Sequence, residues 1–347
     1  MALRVPFTRR WVTLSAVGAA IAAASVACAG RWLVAWRNRR KYSGLKDVVS
    51  FSSRMMAAQR ALENTRPDRL FEDPLAEVLA GQQAMERARE RGKATEESRR
   101  DGAPARKGID GRIAIRAKYF DDAILHALKD SRLRQVVVLG TGMDTRPWRL
   151  PVPPGVVWFD VDRPDVIAAK VHELHEARAQ TSAANRSDGS SPLCYPCRVD
   201  RYCPVATDLS APTSLQHSLA AAGFDPLVPT VWLGEGLLMY LPEAGVLGLL
   251  RQAAALSSRG SVALFSMVSE GAVKKAQQSG SELTSTWLWG LPEGQEGVKF
   301  LLSSSWRTHL LHQIGTPAAS YGRGLVEPDP PNTPDALRTL YWQGYLA

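Results

Sequence analysis

The stretch Val136 to Leu150, VVVLGTGMDTRPWRL, decides how the chain is read. It opens on β-branched and apolar residues in a run long enough for a buried strand and too short for a helix. Gly140 and Gly142 follow, where the chain must turn sharply. Glycine there lets a bulky adenosine-type ligand lie against the main chain at the carboxyl end of a sheet. A dinucleotide fold would add a third glycine opening a helix, whereas this chain has Asp144-Thr145-Arg146-Pro147. That departure disfavours a nucleotide-dependent oxidoreductase.

Outward from this stretch, apolar runs at 156–161, 203–207, 230–233 and 261–268 alternate with helical patterns. Strands and helices at that spacing predict a mostly parallel, doubly wound α/β sheet of Rossmann type. The second strand ends in Trp158-Phe159-Asp160-Val161-Asp162. An acid at that tip can accept both hydroxyls of a ribose, and Asp162-Arg163-Pro164 also looks like a helix start, so Asp160 and Asp162 can divide the two tasks. The third tip gives Asp208 and Leu209, placed for an adenine amino group and ring, and the fourth places Glu235 at the mouth of the sheet. Four consecutive polar strand tips are hard to explain by fold stability alone.

Before the sheet, Ser52 or Ser53 can cap a helix that ends before Pro67, and Asp73-Pro74 reads as the start of a second helix closed by Gly81. The Arg- and Glu-rich stretch from Gln82 to Lys107 reads as a solvated loop or frayed helix, and Ile109 to Leu128 as a further helix. The expected organisation is an N-terminal segment over 1–46, a helical cap over 47–130, and a ligand-binding domain over 131–347 with an exposed insertion near 176–200.

The formal charge of +9 belongs to the first segment. Residues 1–46 hold nine Lys and Arg and no acid, and the remainder balances 34 basic against 34 acidic side chains. That distribution excludes a nucleic-acid-binding face and points to a membrane surface or an import receptor. Twenty uncharged residues, Trp11 to Gly30, are about the length of a membrane span. A membrane-anchored location through 11–30 is expected, with a cleaved transit peptide for mitochondrion or chloroplast as the alternative and a secretory signal ranked last. The four cysteines are too few for a disulfide framework. His172 and His175, followed by Cys194, Cys197 and Cys203, imitate zinc spacing, but a low-complexity insertion divides the two groups and no metal is expected.

Several separate motifs, in order, carry a resemblance: SSRMMAAQRALENTRPDRLFEDPLA (Ser52 to Ala76), IRAKYFDDAI (Ile115 to Ile124), LGTGMDTRPWRL, WFDVDRP (Trp158 to Pro164) and EGLLMYLP (Glu235 to Pro242). Over these residues the chain resembles the leucine carboxyl methyltransferase-like methyltransferases. The resemblance implies S-adenosyl-L-methionine held by residues matching Arg116, Gly140, Asp162, Asp208, Leu209 and Glu235, with Arg116 meeting the cofactor's carboxylate. Gly142, Asp144 and Asp160, from the reading of the residues themselves, complete the expected cofactor set. Arg146 and Tyr240 are the candidates for facing the acceptor, which the resemblance makes a small molecule or a protein C-terminal carboxylate. The implied reaction is methyl transfer to a carboxylate or hydroxyl; a scaffold that kept the cofactor site without turnover is the alternative. This chain has Asp160 where members commonly have Glu, and its tail beyond Val268 matches weakly.

Overall fold

The computed structural model describes residues 44–100, 111–181, 195–211, 214–325, 333 and 335–346. Residue contacts divide the chain into two units, 1–47 and 48–347. Only residues 44–47 of the first are described, and the second holds the sheet with its helices.

Seven strands form one sheet in the order β3-β2-β1-β4-β5-β7-β6. β1 (Gln135–Leu139), β2 (Val157–Asp162), β3 (Arg201–Ala206), β4 (Thr230–Gly234) and β5 (Val262–Val268) run parallel. β7 (Thr339–Tyr345) lies antiparallel between β5 and β6 (Arg307–Gln313). The chain order reverses between β1 and β4, so their carboxyl ends diverge into a crevice where open sheets of this kind bind ligands. The sheet is apolar on both faces, with Trp158, Phe159, Trp232, Phe265 and Trp342 fully buried, as a sheet covered by helices on both sides requires.

Three helices precede the sheet: α1 (Val48–Glu63), α2 (Ala76–Arg100) and α3 (Arg112–Ala127). α1 begins four residues before Ser52, and both serines are inside it, donating their hydroxyls to the Val49 and Ser50 carbonyls at 2.6 Å rather than capping. Gly81 breaks α2 at φ 69°, and the break frees the Leu79 carbonyl for Arg54 Nη1 at 3.1 Å. A side chain at Gly81 would meet that same guanidinium nitrogen at 2.9 Å. Beyond the break, the stretch read as a solvated loop or frayed helix is helical as far as Arg100, with Ala84, Met85 and Ala88 buried and Glu86, Arg89 and Glu90 exposed.

Between and after the strands come α4 (Arg146–Arg149), α5 (Pro164–Glu176), α6 (Ser214–Ala221), α7 (Glu243–Ala255), α8 (Glu270–Gln277) and α9 (Gly294–Ser303). Most of the expected insertion lies outside the described residues, but its two ends are joined where Gln180 N donates to the Tyr195 carbonyl at 3.0 Å. The expectation of a membrane-anchored protein is withdrawn. No helix among the described residues is long and apolar enough to cross a membrane, and 11–30 lie outside them. The composition of that stretch agrees, since Ala, Gly, Ser and Thr give only marginal insertion energy.

Asp160 is a fold residue. Its carboxylate is fully buried inside β2 and accepts from Lys170 Nζ on α5 at 2.5 Å, from the Tyr202 hydroxyl on β3 at 2.9 Å and from Trp158 Nε1 at 3.0 Å. Removing one member of a buried ion pair leaves the other charge uncompensated, at a cost of about 3–5 kcal/mol. Asp160→Ala should therefore lower the urea unfolding free energy by about that amount, while Lys170→Met combined with it should recover a large part of the loss.

Candidate active site: a charged cavity at the strand ends

The loop that follows β1 is stitched to the tip of β2. The amides of Gly140 and Thr141 both donate to the Val161 carbonyl, at 2.8 and 3.1 Å, and Gly142 N donates to Asp162 Oδ2 at 2.7 Å. Gly140 and Gly142 hold φ of 64° and 52°, a region that favours glycine. Space is as restrictive as conformation. A Cβ at Gly140 would meet Leu237 Cδ1 at 2.9 Å, and one at Gly142 would meet the Ser53 Cβ of α1 at 2.7 Å. The helical cap thus closes directly onto the glycine loop.

Where the loop becomes α4, Arg146 is buried to 3 % exposure and all three guanidinium nitrogens are engaged. Nε donates to Asp121 Oδ1 at 2.7 Å, Nη1 to Asp144 Oδ2 at 2.5 Å, and Nη2 to Glu235 Oε2 at 2.6 Å and the Ala117 carbonyl at 3.3 Å. Glu235 takes Arg116 Nε on its other oxygen at 2.8 Å. Asp121 also holds Arg149, whose guanidinium lies 4.8 Å from the Phe71 ring centre. Burial pushes the Glu235 carboxyl up, but Arg146 and Arg116 outweigh it and hold the group down at about 2. Asp144 is likewise held low, burial being outweighed by Arg146, Lys170 and Arg60. Asp162 goes the other way: removal from water outweighs its hydrogen bonds from the Gly142 and Arg163 amides and pushes it up to about 6.

Asp73, read from sequence as a helix cap, does something else with its side chain. Its fully buried Oδ2 accepts from Arg60 Nε at 2.9 Å and from Thr145 Oγ1 at 2.6 Å, while its backbone carbonyl receives the Ala76 amide. Arg60 reaches past it to the Met143 carbonyl of the glycine loop at 2.5 Å.

These groups surround a cavity of about 670 Å³. Arg116, Gly140, Gly142, Asp144, Asp162, Asp208, Leu209 and Glu235 line it together, as do Arg146 and Tyr240. Asp160 is the exception, lying deeper in the sheet. Arg146 also departs from expectation, because its nitrogens are committed to three carboxylates rather than presented to an acceptor. The structure adds Ser53, Arg112, Trp287, Thr339 and Tyr341 to the wall. Asp121 supports the site from within the IRAKYFDDAI motif; Arg112 and the C-terminal residues carry no signal that sequence reading used. Of the zinc-like group, Cys194 lies outside the described residues and His172 and His175 are exposed on α5.

A crevice at the switch point, polar groups on four successive strand tips and two tight glycines define a Rossmann-like fold with its ligand cavity at the carboxyl ends of the strands. The family model described as leucine carboxyl methyltransferase matches residues 53–254. A Streptomyces avermitilis protein named as an S-adenosyl-L-methionine-dependent methyltransferase is 34% identical over 275 residues, covering 79% of this chain and 88% of its own. One from Streptomyces coelicolor, similarly named, is 33% identical over 272 residues, covering 78% and 87%. A solved structure from Streptomyces avermitilis, titled as a DUF574 family protein, shares the fold with a TM-score of 0.50 at 15% identity over 78% of this chain and 94% of that one. The chain belongs to the leucine carboxyl methyltransferase family, and with membership come the enzyme class, methyltransferase, and the cofactor, S-adenosyl-L-methionine.

The contact at Gly142 is directly testable. Gly142→Ala should destabilise the protein by about 1–3 kcal/mol in urea unfolding. Adding Ser53→Gly should recover only part of this, since it relieves the 2.7 Å contact but not the positive φ.

Proposed function

We propose that the chain transfers the methyl group of S-adenosyl-L-methionine to the carboxylate oxygen of an apolar acid, free or at the end of a peptide. The residues present fit the cofactor. Arg116 keeps Nη1 and Nη2 without a hydrogen-bond partner among the described residues, and the glycine loop lines the cavity. Gly140, Gly142, Asp162, Asp208 and Leu209 would hold the nucleoside end. Arg116 and the carboxylates Asp144 and Glu235 would frame the amino-acid end. Once bound, the cofactor supplies an electrophilic methyl group on a sulfonium, so the protein's part is to align the acceptor and exclude water.

The observation that favours a carboxylate over a hydroxyl is the weakness of the bases. No histidine lines the cavity among the described residues, and Asp144 and Glu235 are ion-paired and held strongly acidic. Asp162, whose carboxyl is pushed up to about 6, is still a weak base and is held by the Gly142 and Arg163 amides. An alcohol would need to lose its proton to one of these weak bases, whereas a carboxylic acid is ionised at neutral pH. Part of the wall is apolar, with Met56, Met239, Leu283, Trp287 and Ile314. Arg112 also lines the cavity; its Nη2 donates to Thr339 Oγ1 at 3.0 Å and it has no acidic partner among the described residues. An apolar body and an anionic head match that lining.

Incubation with methyl-labelled S-adenosyl-L-methionine and a panel of apolar acids, leucine-terminated peptides and matching alcohols and phenols tests this. Label released as methanol by mild alkali is expected, because methyl esters hydrolyse and ethers do not. Alkali-stable label in the alcohols or phenols would overturn the carboxylate reading.

The raised Asp162 adds a pH dependence. If its carboxylate accepts from the ribose, a proton taken up near 6 removes an acceptor, so affinity is full above that pH and falls below it. Calorimetric dissociation constants should rise by up to about tenfold per pH unit below 6, and Asp162→Asn should flatten the profile at a weaker value.

A further inference from the structure

Tyr341 is in the middle of β7, fully buried, and its hydroxyl has no hydrogen-bond partner among the described residues although it borders the cavity. Other buried or half-buried tyrosines are satisfied. Tyr119 Oη is within 2.9 Å of His312 Nδ1 and accepts from Gln343 Nε2 at 3.0 Å; Tyr202 donates to Asp160 and Tyr321 to Asp122. Buried polar groups almost always have a partner, so an orphan hydroxyl on a cavity wall marks where a ligand atom belongs.

The Tyr341 ring is fixed by α3, with its centre 4.6 Å from that of Tyr119 and 5.3 Å from that of Phe120. Those residues follow Arg116 by three and four positions and share its helix face. After burial, the charge that acts most strongly on the hydroxyl is Arg116, then Glu235. Arg116 itself is held by Nε on Glu235. Its Nη1 and Nη2 pass over Gly236, where a Cβ would meet them at 3.2 and 3.3 Å. Two unused arginine nitrogens and one unused hydroxyl therefore belong to one corner of the cavity. With the acceptor's carboxylate at Arg112, the carboxylate of the cofactor is the anion left for this corner.

We propose that Tyr341 is a cofactor-binding residue: its hydroxyl and the terminal nitrogens of Arg116 donate to the carboxylate of S-adenosyl-L-methionine. This rests on the cofactor assignment. It commits the hydroxyl to the cofactor rather than to the methyl acceptor, and it draws the antiparallel C-terminal strand into a site whose other residues come from the parallel strands and the cap.

The test compares full-length wild type with Tyr341→Phe, which removes only the hydroxyl. Binding of S-adenosyl-L-methionine and of decarboxylated S-adenosyl-L-methionine is measured by calorimetry, and thermal unfolding is followed without ligand. The variant should unfold at the same temperature or higher, because it loses an unpartnered polar group. It should bind S-adenosyl-L-methionine about tenfold or more weakly and the decarboxylated compound as well as wild type does. Unchanged affinity for S-adenosyl-L-methionine would overturn the proposal. Equal losses for both compounds would do so too, since the hydroxyl would then meet another part of the cofactor, as would a clear fall in unfolding temperature, which would assign it to the fold. Wild type that binds neither compound would instead count against the cofactor assignment itself.

Discussion

A guanidinium taken out of water must be compensated on every side, and Arg146 meets that condition with carboxylates from three places: Asp121 on α3, Asp144 in the glycine loop and Glu235 after β4. The pairing extends in both directions as an alternation of charges. Arg116 shares Glu235; Arg149 shares Asp121 and comes within 3.7 Å of Asp73, which holds Arg60. The chain of ion pairs therefore runs from α3 through the strand tips to α1. Such a network is not a large source of net stability, because desolvation offsets most of its Coulomb energy. Its effect is on arrangement. Deleting any member strands a neighbour in a dry interior, so the elements that carry these residues have few alternative positions.

What is arranged is the closure of the cap over the sheet. Arg60 bonds the Met143 carbonyl, Thr145 bonds Asp73, and Ser53 packs against the bare Cα of Gly142, all within the loop that follows β1. A second set of ties joins α1 to α5 through Arg54 with Glu173 and Ser50 with Asp165. The glycine loop is consequently held from beneath by the tip of β2 and from above by α1. Its conformation is fixed by the fold before any ligand arrives, which is the condition under which binding energy is not consumed in ordering the site.

The strand tips are legible in the sequence because each parallel strand is a short apolar run that ends abruptly at a polar residue. Depth is not. Asp160 pairs with Val138 inside the sheet, while Asp162, two residues on, has passed the end of β1 and reaches the loop. Both are acids near one tip, and only the register separates a fold residue from a cavity residue. Asp73 misleads for a related reason: Asp-Pro before an apolar run has the local form of a helix start, whereas its side chain is used by Arg60 and Thr145, the latter 72 positions away. β6 and β7 escape sequence reading altogether. β6 is an edge strand with mixed polar residues, so it lacks the apolar pattern of the central strands. Nothing in TLYWQGY marks Tyr341 as different from its neighbours on β7.

Charge pairing also divides the cavity. Arg60, Arg146, Arg149 and Arg163 carry positive charge at its wall, but each is committed to an acid and cannot attract a further anion strongly. Among the described residues that line the cavity, the cationic nitrogens left over are the Nη pair of Arg116 and, one turn earlier on α3, the guanidinium of Arg112 beside Thr339. In the reaction proposed above, two ligands would each bring one carboxylate, and each of these cations would take one. Such an arrangement needs no strong base, since one partner brings the leaving group and the other arrives as an anion. It needs distance and alignment to be right, and these are what a rigid network of buried ion pairs behind the glycine loop is suited to provide.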